Sequence, residues 1–247
     1  MNSELEAILD AQHGVLGAQQ AFALVGKDRA GRLVRSGKWQ RPARGVYVAH
    51  NGPLDPEALD WVASFSGAPG SVLGGLTALA FDGFKRFTAT APTVIQPMGA
   101  RPMTYGPVHQ HWSIFLDDRD VHPARKPLHT RPARSLIDAA SWEPGERRAR
   151  EIILAGCQQG LVATRQLREA LTRRGACHFR GLIVESYLDA RGGIQSLPER
   201  DFDSVRREVG LPKPDRQAVL RRTDGKYYLD VFWRRWQLAC EVHGCRT

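Results

Sequence analysis

The sequence lacks the features that define several large classes of protein. No run of about 18 uninterrupted apolar residues is present, which argues against a membrane-spanning helix. The segment Met1 to Glu6 is acidic and amphipathic, whereas a secretory signal begins with positive charge and an apolar core. Only four cysteines occur, without C-x-x-C pairs or the density of a disulfide scaffold. We therefore expect a cytoplasmic protein with reduced thiols and no membrane partner.

Arginine is what the sequence has in excess. Lys and Arg number 35 against 26 Asp and Glu, which leaves a net charge of +9. Basic residues are densest in two segments, Lys27 to Arg44 and Arg200 to Arg235. A genome rich in G and C would raise the arginine content by itself, but dense placement predicts association with a polyanion such as DNA. With 247 residues, the chain is long enough for at least two cores.

The first 50 residues have the pattern of a winged helix-turn-helix domain. A capping box predicts a helix from Ser3, and apolar spacing predicts two more over Ala18–Val25 and Asp28–Ser36. Two short strands around a tight turn, at 39–42 and 45–48, follow. Three helices and a hairpin in this order predict a DNA-binding domain over residues 1–50.

The third predicted helix has an apolar face and a basic face. Ala30, Leu33 and Val34 are expected to point inward, away from the arginines. A helix fits the major groove, and basic residues on a wing reach phosphates, so seven side chains are predicted to bind DNA. They are Lys27, Arg29, Arg32, Arg35, Lys38, Arg41 and Arg44. The alternatives are a solvated arginine face or a wing that binds protein.

Residues 51–192 are predicted to form a mixed α/β region followed by helices. Strands are expected over Thr93–Gln96 and Val108–Trp112. His109 and His111 alternate on the second strand, but without an evident third ligand we expect a surface pair rather than a metal site. Predicted helices begin at Asp55 and Thr130 and cover Val72–Phe81, Glu146–Gln159, Thr164–Leu171 and Arg180–Ala190. Thr164 is expected to cap its helix.

Residues 193–247 are predicted to contain a helix and a three-stranded meander. Ser196 is placed to cap the helix, and Glu199 then has the spacing of a capping-box partner. The strands are expected over Gln217–Arg221, Tyr227–Trp233 and Gln237–His243.

Two carboxylates in this meander suggest a metal site. Asp230 and Glu241 each lie among apolar residues on neighbouring predicted strands, where they would repel unless a cation lay between them. Phosphodiester cleavage needs cations that neutralise developing charge, and Mg²⁺ prefers carboxylate oxygens. The pattern therefore predicts Mg²⁺ bound by Asp230 and Glu241. The alternative is that both side chains face solvent.

Two sets of motifs resemble known families. The C-terminal motifs are Ser-Leu-Pro-Glu from residue 196, Leu-Asp-Val-Phe-Trp from residue 229 and Cys-Glu-Val-His-Gly from residue 240. They resemble very-short-patch-repair endonucleases of the PD-(D/E)xK superfamily. The N-terminal part resembles the abortive-infection (AbiE-type) antitoxin family through its segments 35–39, 45–47 and 130–138.

The resemblance implies roles for five C-terminal residues. Asp230 and Glu241 would bind the metal, Glu199 would support it, and Gln217 would position the reacting groups on the first strand. His243 occupies the place of the superfamily lysine, where a neutral imidazole could orient or deprotonate water. Related domains continue beyond this point, so we expect an incomplete nuclease sheet, either a fragment or a decayed enzyme.

The predicted fold class is α/β in the broad sense and α+β in detail. It comprises the winged helix-turn-helix, the mixed α/β and helical middle region, and an incomplete restriction-endonuclease-like sheet. The predicted function is DNA binding joined to Mg²⁺-dependent DNA cleavage. The alternative is a non-catalytic transcriptional regulator or antitoxin of a type IV toxin–antitoxin system. A third hypothesis is a module that neutralises a cognate toxin by binding it.

Overall fold

Helices and small sheets alternate through the chain, as the predicted α+β class requires. The computed structural model describes residues 3–114, 116–191, 206–222 and 225–240. Within these ranges the strands form three separate three-stranded sheets. None of the helices described in these ranges has the length and hydropathy needed to cross a membrane.

The N-terminal unit contains one strand more than the sequence pattern predicts. Its elements are α1 Ser3–Ala11, β1 Val15–Gly17, α2 Ala18–Val25, α3 Lys27–Arg35, β2 Gln40–Ala43 and β3 Val46–Val48. The strands pair antiparallel in the order β1-β3-β2. The predicted three helices and hairpin are confirmed. Strand β1 was missed because three residues are too few to show an alternating pattern.

The N-terminal sheet has apolar side chains on both faces. Leu16 and Tyr47 pack with the three helices in one cluster. Val15 and Val46 pack on the other face against the next helix, α4, which covers Pro56–Ser66. Helix α4 therefore shares a core with the N-terminal unit across the predicted boundary at residue 50.

The second sheet contains β4 Val72–Leu73, β5 Thr93–Pro97 and β6 His109–Ser113. Strand β5 lies in the centre, antiparallel to β4 and parallel to β6. The predicted helix over Val72–Phe81 was wrong at its start, because Val72 and Leu73 pair with β5 and α5 covers only Gly75–Phe81. Gly74, between β4 and α5, lets the backbone lie close to β5, since a Cβ atom there would lie 2.6 Å from Ile95 Cδ1.

A helical core follows the second sheet. Its elements are the 3-10 turn η1 Asp118–Asp120, α6 Pro132–Ser141, α7 Glu146–Gln158, α8 Thr164–Arg174 and α9 Arg180–Arg191. Fully buried Leu136, Ile153 and Leu167 join these helices in the largest apolar cluster of the described residues. The predicted cap at Thr164 was wrong by one residue. Ala163 precedes α8, and its N–H donates to Gln166 Oε1 at 2.8 Å.

A buried network of ion pairs crosses this helical core. Arg134 is 1% exposed, and its Nε donates to Asp138 Oδ2 at 2.6 Å within α6. Arg174 of α8 donates to the other oxygen of Asp138 at 2.9 Å. Arg173 of α8 in turn contacts Asp120 of η1, which lies 3.5 Å from Arg134. The arginines and carboxylates of this segment therefore hold η1, α6 and α8 together.

The C-terminal sheet is an antiparallel meander, as predicted. Its strands are β7 Asp215–Arg222, β8 Gly225–Trp233 and β9 Leu238–Cys240, and β8 lies between the other two. Trp233 is buried, and its Nε1 donates to the Pro212 carbonyl oxygen at 2.8 Å.

Candidate nucleic-acid interface

One glycine forms the whole turn between α2 and α3. The Gly26 N–H donates to the Phe22 carbonyl at 3.0 Å and ends α2, while the Gly26 carbonyl accepts from the Ala30 N–H at 3.0 Å and begins α3. Gly26 has φ +85°, in a region that side-chain-bearing residues rarely adopt. A turn of one residue holds the two helices in a fixed relative orientation.

Helix α3 presents a basic face to solvent because its apolar residues are turned inward. Ala30 is fully buried, and Leu33 and Val34 pack into the same cluster. The predicted division of this helix into two faces is confirmed. All seven basic residues predicted to bind DNA are exposed: Lys27, Arg29, Arg32, Arg35, Lys38, Arg41 and Arg44.

The connection from α3 to the wing, which is the hairpin of β2 and β3, is compact. The N–H groups of Lys38 and Trp39 both donate to the Leu33 carbonyl, at 3.0 and 3.1 Å. Trp39 is 8% exposed and packs in the N-terminal cluster with Leu16 and Tyr47, which fixes the connection and leaves Lys38 outside. Gly45, with φ +81°, allows the tight turn that places Arg44 at the tip of the wing.

Arg41 is positioned by two aromatic side chains in contact, Tyr47 of β3 and Phe22 of α2. Its guanidinium carbon lies 5.7 Å from the centroid of the Tyr47 ring. Tyr47 in turn packs edge-on against Phe22, with ring centroids 5.7 Å apart. The contact fixes part of a long flexible side chain before any ligand binds.

The basic surface is largely uncompensated. Residues 27–44 contain seven basic residues and a single acid, Asp28, a local net charge of +6. In the part of the chain that the structure describes, none of the seven forms an ion pair with a carboxylate. Clustered charge of one sign on a convex helix and wing attracts phosphate backbones at long range.

The structure adds Thr104 and Tyr105 to this surface, and the sequence patterns did not indicate either residue. An open cavity of about 380 Å³ beside the wing is lined by Arg41, Pro42, Ala43, Arg44, Thr104 and Tyr105. Burial raises the pKa of Tyr105 above its ordinary value of 10.0, and its protonated hydroxyl can donate a hydrogen bond. The only local signal was an aromatic residue in a loop rich in proline and glycine.

The predicted C-terminal site is described only in part. Glu199, Glu241 and His243 lie outside the described residues. Gln217 and Asp230 lie on β7 and β8, where the backbone is described but the side chains are not.

The backbone register brings two of these positions together. Arg216 pairs with Val231, and Ala218 pairs with Leu229. Gln217 and Asp230 lie between these two pairs and are therefore opposite each other on adjacent strands.

The two histidines of β6 have different surroundings. His111 stacks on Trp142 with ring centroids 3.7 Å apart. Its pKa is lowered to about 4, mainly by burial and further by the charges of His109 and Arg174. His109 is exposed, and its Nε2 lies 3.3 Å from Thr90 Oγ1. Among the described residues, the His, Cys, Asp and Glu clusters able to hold an ion do not include either histidine.

The comparisons with known proteins concern mainly the N-terminal unit. Residues 3–50 match the family model described as transcriptional regulator, AbiEi antitoxin. The match covers the whole winged helix-turn-helix, including β1. No curated protein matches the chain. Among solved structures, the RV2827C protein from Mycobacterium tuberculosis is similar at 16% identity with a TM-score of 0.44, over 75% of this chain and 76% of that chain.

Proposed function

We propose that this protein is a DNA-binding transcriptional regulator of the antitoxin type. The observation that carries the proposal is the set of seven exposed basic side chains on α3, the connection and the wing, without carboxylate partners among the described residues. The match of residues 3–50 to regulators described as AbiEi antitoxins supports the same function. The proposed DNA contacts are made by these seven side chains.

The geometry suggests a division of labour between helix and wing. Helix α3 has the diameter that a major groove of about 12 Å admits, with Arg29, Arg32 and Arg35 able to reach base edges or flanking phosphates. Lys38 and Arg44 lie on the connection and the wing tip, where phosphate contacts position the domain without reading sequence. In this proposal the helix supplies specificity and part of the affinity, and the wing supplies further phosphate contacts.

The test is a salt-dependent binding assay with matched arginine variants. Fluorescence anisotropy with DNA from the protein's own promoter region measures Kd between low and moderate salt. The double variant Arg29→Ala/Arg32→Ala should weaken binding and reduce the salt slope by about 2, since each lost phosphate contact removes about 0.9. The matched control is Arg147→Ala/Arg165→Ala, which removes two exposed arginines from α7 and α8.

The control separates local contacts from net charge. Both double variants carry the same net charge, so a difference between them reflects local contacts with DNA. Only the variant on α3 should change the salt slope substantially. Absence of binding by the unmodified protein at low salt, or equal losses in the two double variants, would remove the proposal.

We propose Mg²⁺-dependent DNA cleavage as a second candidate function. The supporting observation is the register of β8 and β9, which pairs Val231 with Cys240. Asp230 precedes the first of these residues and Glu241 follows the second, so an antiparallel ladder that continued by one pair would set the two carboxylates opposite each other. Mg²⁺ bound there would activate water and stabilise the leaving group's charge.

Cleavage is tested on supercoiled plasmid with and without Mg²⁺. Asp230→Asn and Glu241→Gln should each abolish nicking, and Asp215→Asn on the same sheet should not. Nicking that survives both substitutions would show that this site is not responsible. Nicking that is absent from the unmodified protein would leave the regulator as the function.

A cognate toxin is the third element of the proposal. Strand β6 is the edge of the second sheet, and three large apolar side chains lie exposed on or near it, Met98, Trp112 and Ile114. An exposed apolar edge suits a protein partner. Co-expression with the product of the adjacent gene should give a stable complex that Ile114→Lys weakens and Leu188→Lys, on the exposed side of α9, does not.

A further inference from the structure

Three residues distant in sequence converge at one end of the second sheet. Asp82 directly follows α5, while His122 and His129 lie at the two ends of one loop. The backbone N–H of His122 donates to the backbone carbonyl of His129 at 3.0 Å, and this hydrogen bond closes the loop. The Leu73 N–H donates to the Leu128 carbonyl at 2.9 Å and fixes the loop to β4. The backbone therefore holds the two histidines beside the end of α5.

Each of the three side chains has a buried polar atom that forms no hydrogen bond with the described residues. Asp82 Oδ2, His122 Nε2 and His129 Nε2 are inaccessible to solvent and accept or donate no hydrogen bond. His129 is 1% exposed, so bulk solvent does not reach its nitrogen. Buried polar atoms are nearly always satisfied, and three such atoms in one cluster of side chains indicate that they share a partner.

The hydrogen bond on the far side of His129 determines which of its nitrogens is free. Nδ1 lies 2.7 Å from the Pro127 carbonyl oxygen, which can only accept, so Nδ1 carries the proton. Nε2 then presents a lone pair to the cluster. Phe81 stacks on the imidazole with centroids 5.1 Å apart and holds its orientation. Histidines that bind metals are commonly oriented in this way.

The contacts of Asp82 with Arg125 and His122 involve only one of its two carboxylate oxygens. Arg125 Nη1 contacts Asp82 Oδ1 at 2.6 Å, and His122 Nε2 lies 3.3 Å from the same oxygen. Neither contact satisfies Asp82 Oδ2 or His129 Nε2. Arg125 is 56% exposed and approaches from outside, so it can orient the carboxylate while the buried oxygen binds another group.

We propose that Asp82, His122 and His129 bind one divalent transition-metal ion, with Zn²⁺ the best fit. Two imidazole nitrogens and one carboxylate oxygen form a donor set that suits Zn²⁺ and disfavours Mg²⁺. One ligand atom from each residue lies within 4.8 Å of the other two, and a tetrahedral zinc site places its ligands roughly 3.4 Å apart, so side-chain shifts of about 1 Å suffice.

The proposed ion would join the loop to α5 and keep one ligand position open. Three protein ligands leave a fourth tetrahedral position for water or another ligand. His122 also lines a cavity of about 330 Å³ that contains Asp120, Arg134 and Arg173 of the buried ion-pair network. The site is independent of the basic surface on α3 and of the carboxylates predicted to bind Mg²⁺.

Metal titration of the full-length protein tests the site directly. Protein stripped with a chelator and dialysed is titrated with Zn²⁺ by calorimetry and with Co²⁺ by visible absorption. We expect one equivalent to bind, a tetrahedral Co²⁺ spectrum and a higher Tm. His122→Gln and Asp82→Asn should each weaken binding at least about tenfold. The control is His13→Ala in the exposed cluster His13, Asp55 and Glu57, which should bind as the unmodified protein does.

A second measurement needs no variant to fold. Nitrogen NMR of the histidine rings should show two of the eight histidines shifting on addition of Zn²⁺, with His129 remaining protonated at Nδ1. The proposal is overturned if the stripped protein binds neither metal. It is also overturned if folded His122→Gln and Asp82→Asn bind with unchanged affinity, or if His13→Ala alone abolishes binding.

Discussion

The Arg41 guanidinium lies over the ring of Tyr47, 5.7 Å from its centroid, and this contact joins the wing's charge to the domain's core. Tyr47 is 7% exposed and packs against Phe22 of α2. A side chain that we propose contacts phosphate is thus held by a residue whose main role is packing.

Removing the aromatic face beneath Arg41 should weaken DNA binding slightly. Tyr47→Leu retains an apolar side chain but loses the cation–π contact, so Kd should rise about 2- to 5-fold, as expected for about 0.5–1 kcal/mol. Tyr47→Phe retains the ring and should bind normally. Anisotropy at fixed salt measures both, and circular dichroism confirms the fold. Equal affinities for the two variants would contradict the positioning role of Tyr47.

Adding a methyl group at Gly156 should destabilise the helical core. A Cβ atom there would lie 2.4 Å from Leu136 Cδ1, and Leu136 is fully buried. Gly156→Ala should therefore lower the free energy of unfolding by about 1–3 kcal/mol. Gly181→Ala on α9 meets no atom within 4 Å and should be neutral or slightly stabilising. Thermal unfolding distinguishes the two, and Leu136→Val should partly rescue Gly156→Ala.

Loss of Asp138 should be much more damaging than loss of a surface carboxylate. Asp138 is fully buried and pairs with both Arg134 and Arg174, so Asp138→Ala leaves a buried arginine without its nearest counter-charge. We expect a loss of about 3–5 kcal/mol in urea unfolding. Glu169→Ala breaks only the exposed pair with Arg165 and should cost less than about 1 kcal/mol. Similar losses in both variants would show that the buried network is not a unit.

Burial, and to a smaller extent the negative charge of nearby Glu57, raises the pKa of Asp60 from its ordinary value of 3.8 to about 7. The folded state therefore holds a proton that the unfolded chain releases from the ordinary value of 3.8 upward. Stability from this group is greatest below pH 3.8 and declines as pH rises to about 7.

Asp60→Asn should remove this part of the pH dependence. The variant should gain Tm relative to the unmodified protein at pH 8 and show a smaller decline between pH 4 and 7, the range that the pKa shift defines. Glu57→Gln is the intermediate case, because it removes only the weaker cause. Identical Tm profiles for Asp60→Asn and the unmodified protein would contradict the raised pKa.

Much of the candidate interface could be predicted because it depends on local pattern. The apolar spacing of Ala30, Leu33 and Val34 already indicated which side of α3 would be buried, and the structure confirms that the arginines lie opposite. Gly26 directly follows α2, at a position where glycine commonly ends a helix. That these side chains bind DNA, and that Asp230 and Glu241 share Mg²⁺, remain predictions.

Other features depended on contacts between distant parts of the chain. The strands Val15–Gly17 and Val72–Leu73 are too short to carry a periodic signal, and each exists because a partner strand lies beside it. Tyr105 joins the wing surface only because its loop returns to the N-terminal unit. The sequence spacing of these residues contains no sign of these contacts.

Taken by itself, the sequence determined the helical periods, the α+β class and the net positive charge of residues 27–44, because each follows from neighbours within a few positions. Only the tertiary structure decided that Asp82 meets His122 and His129, and that Arg134 and Arg174 share Asp138. The physical reason is that a ligand set or a buried ion pair is formed by chain closure over many residues, and the packing of the whole core determines which side chains meet.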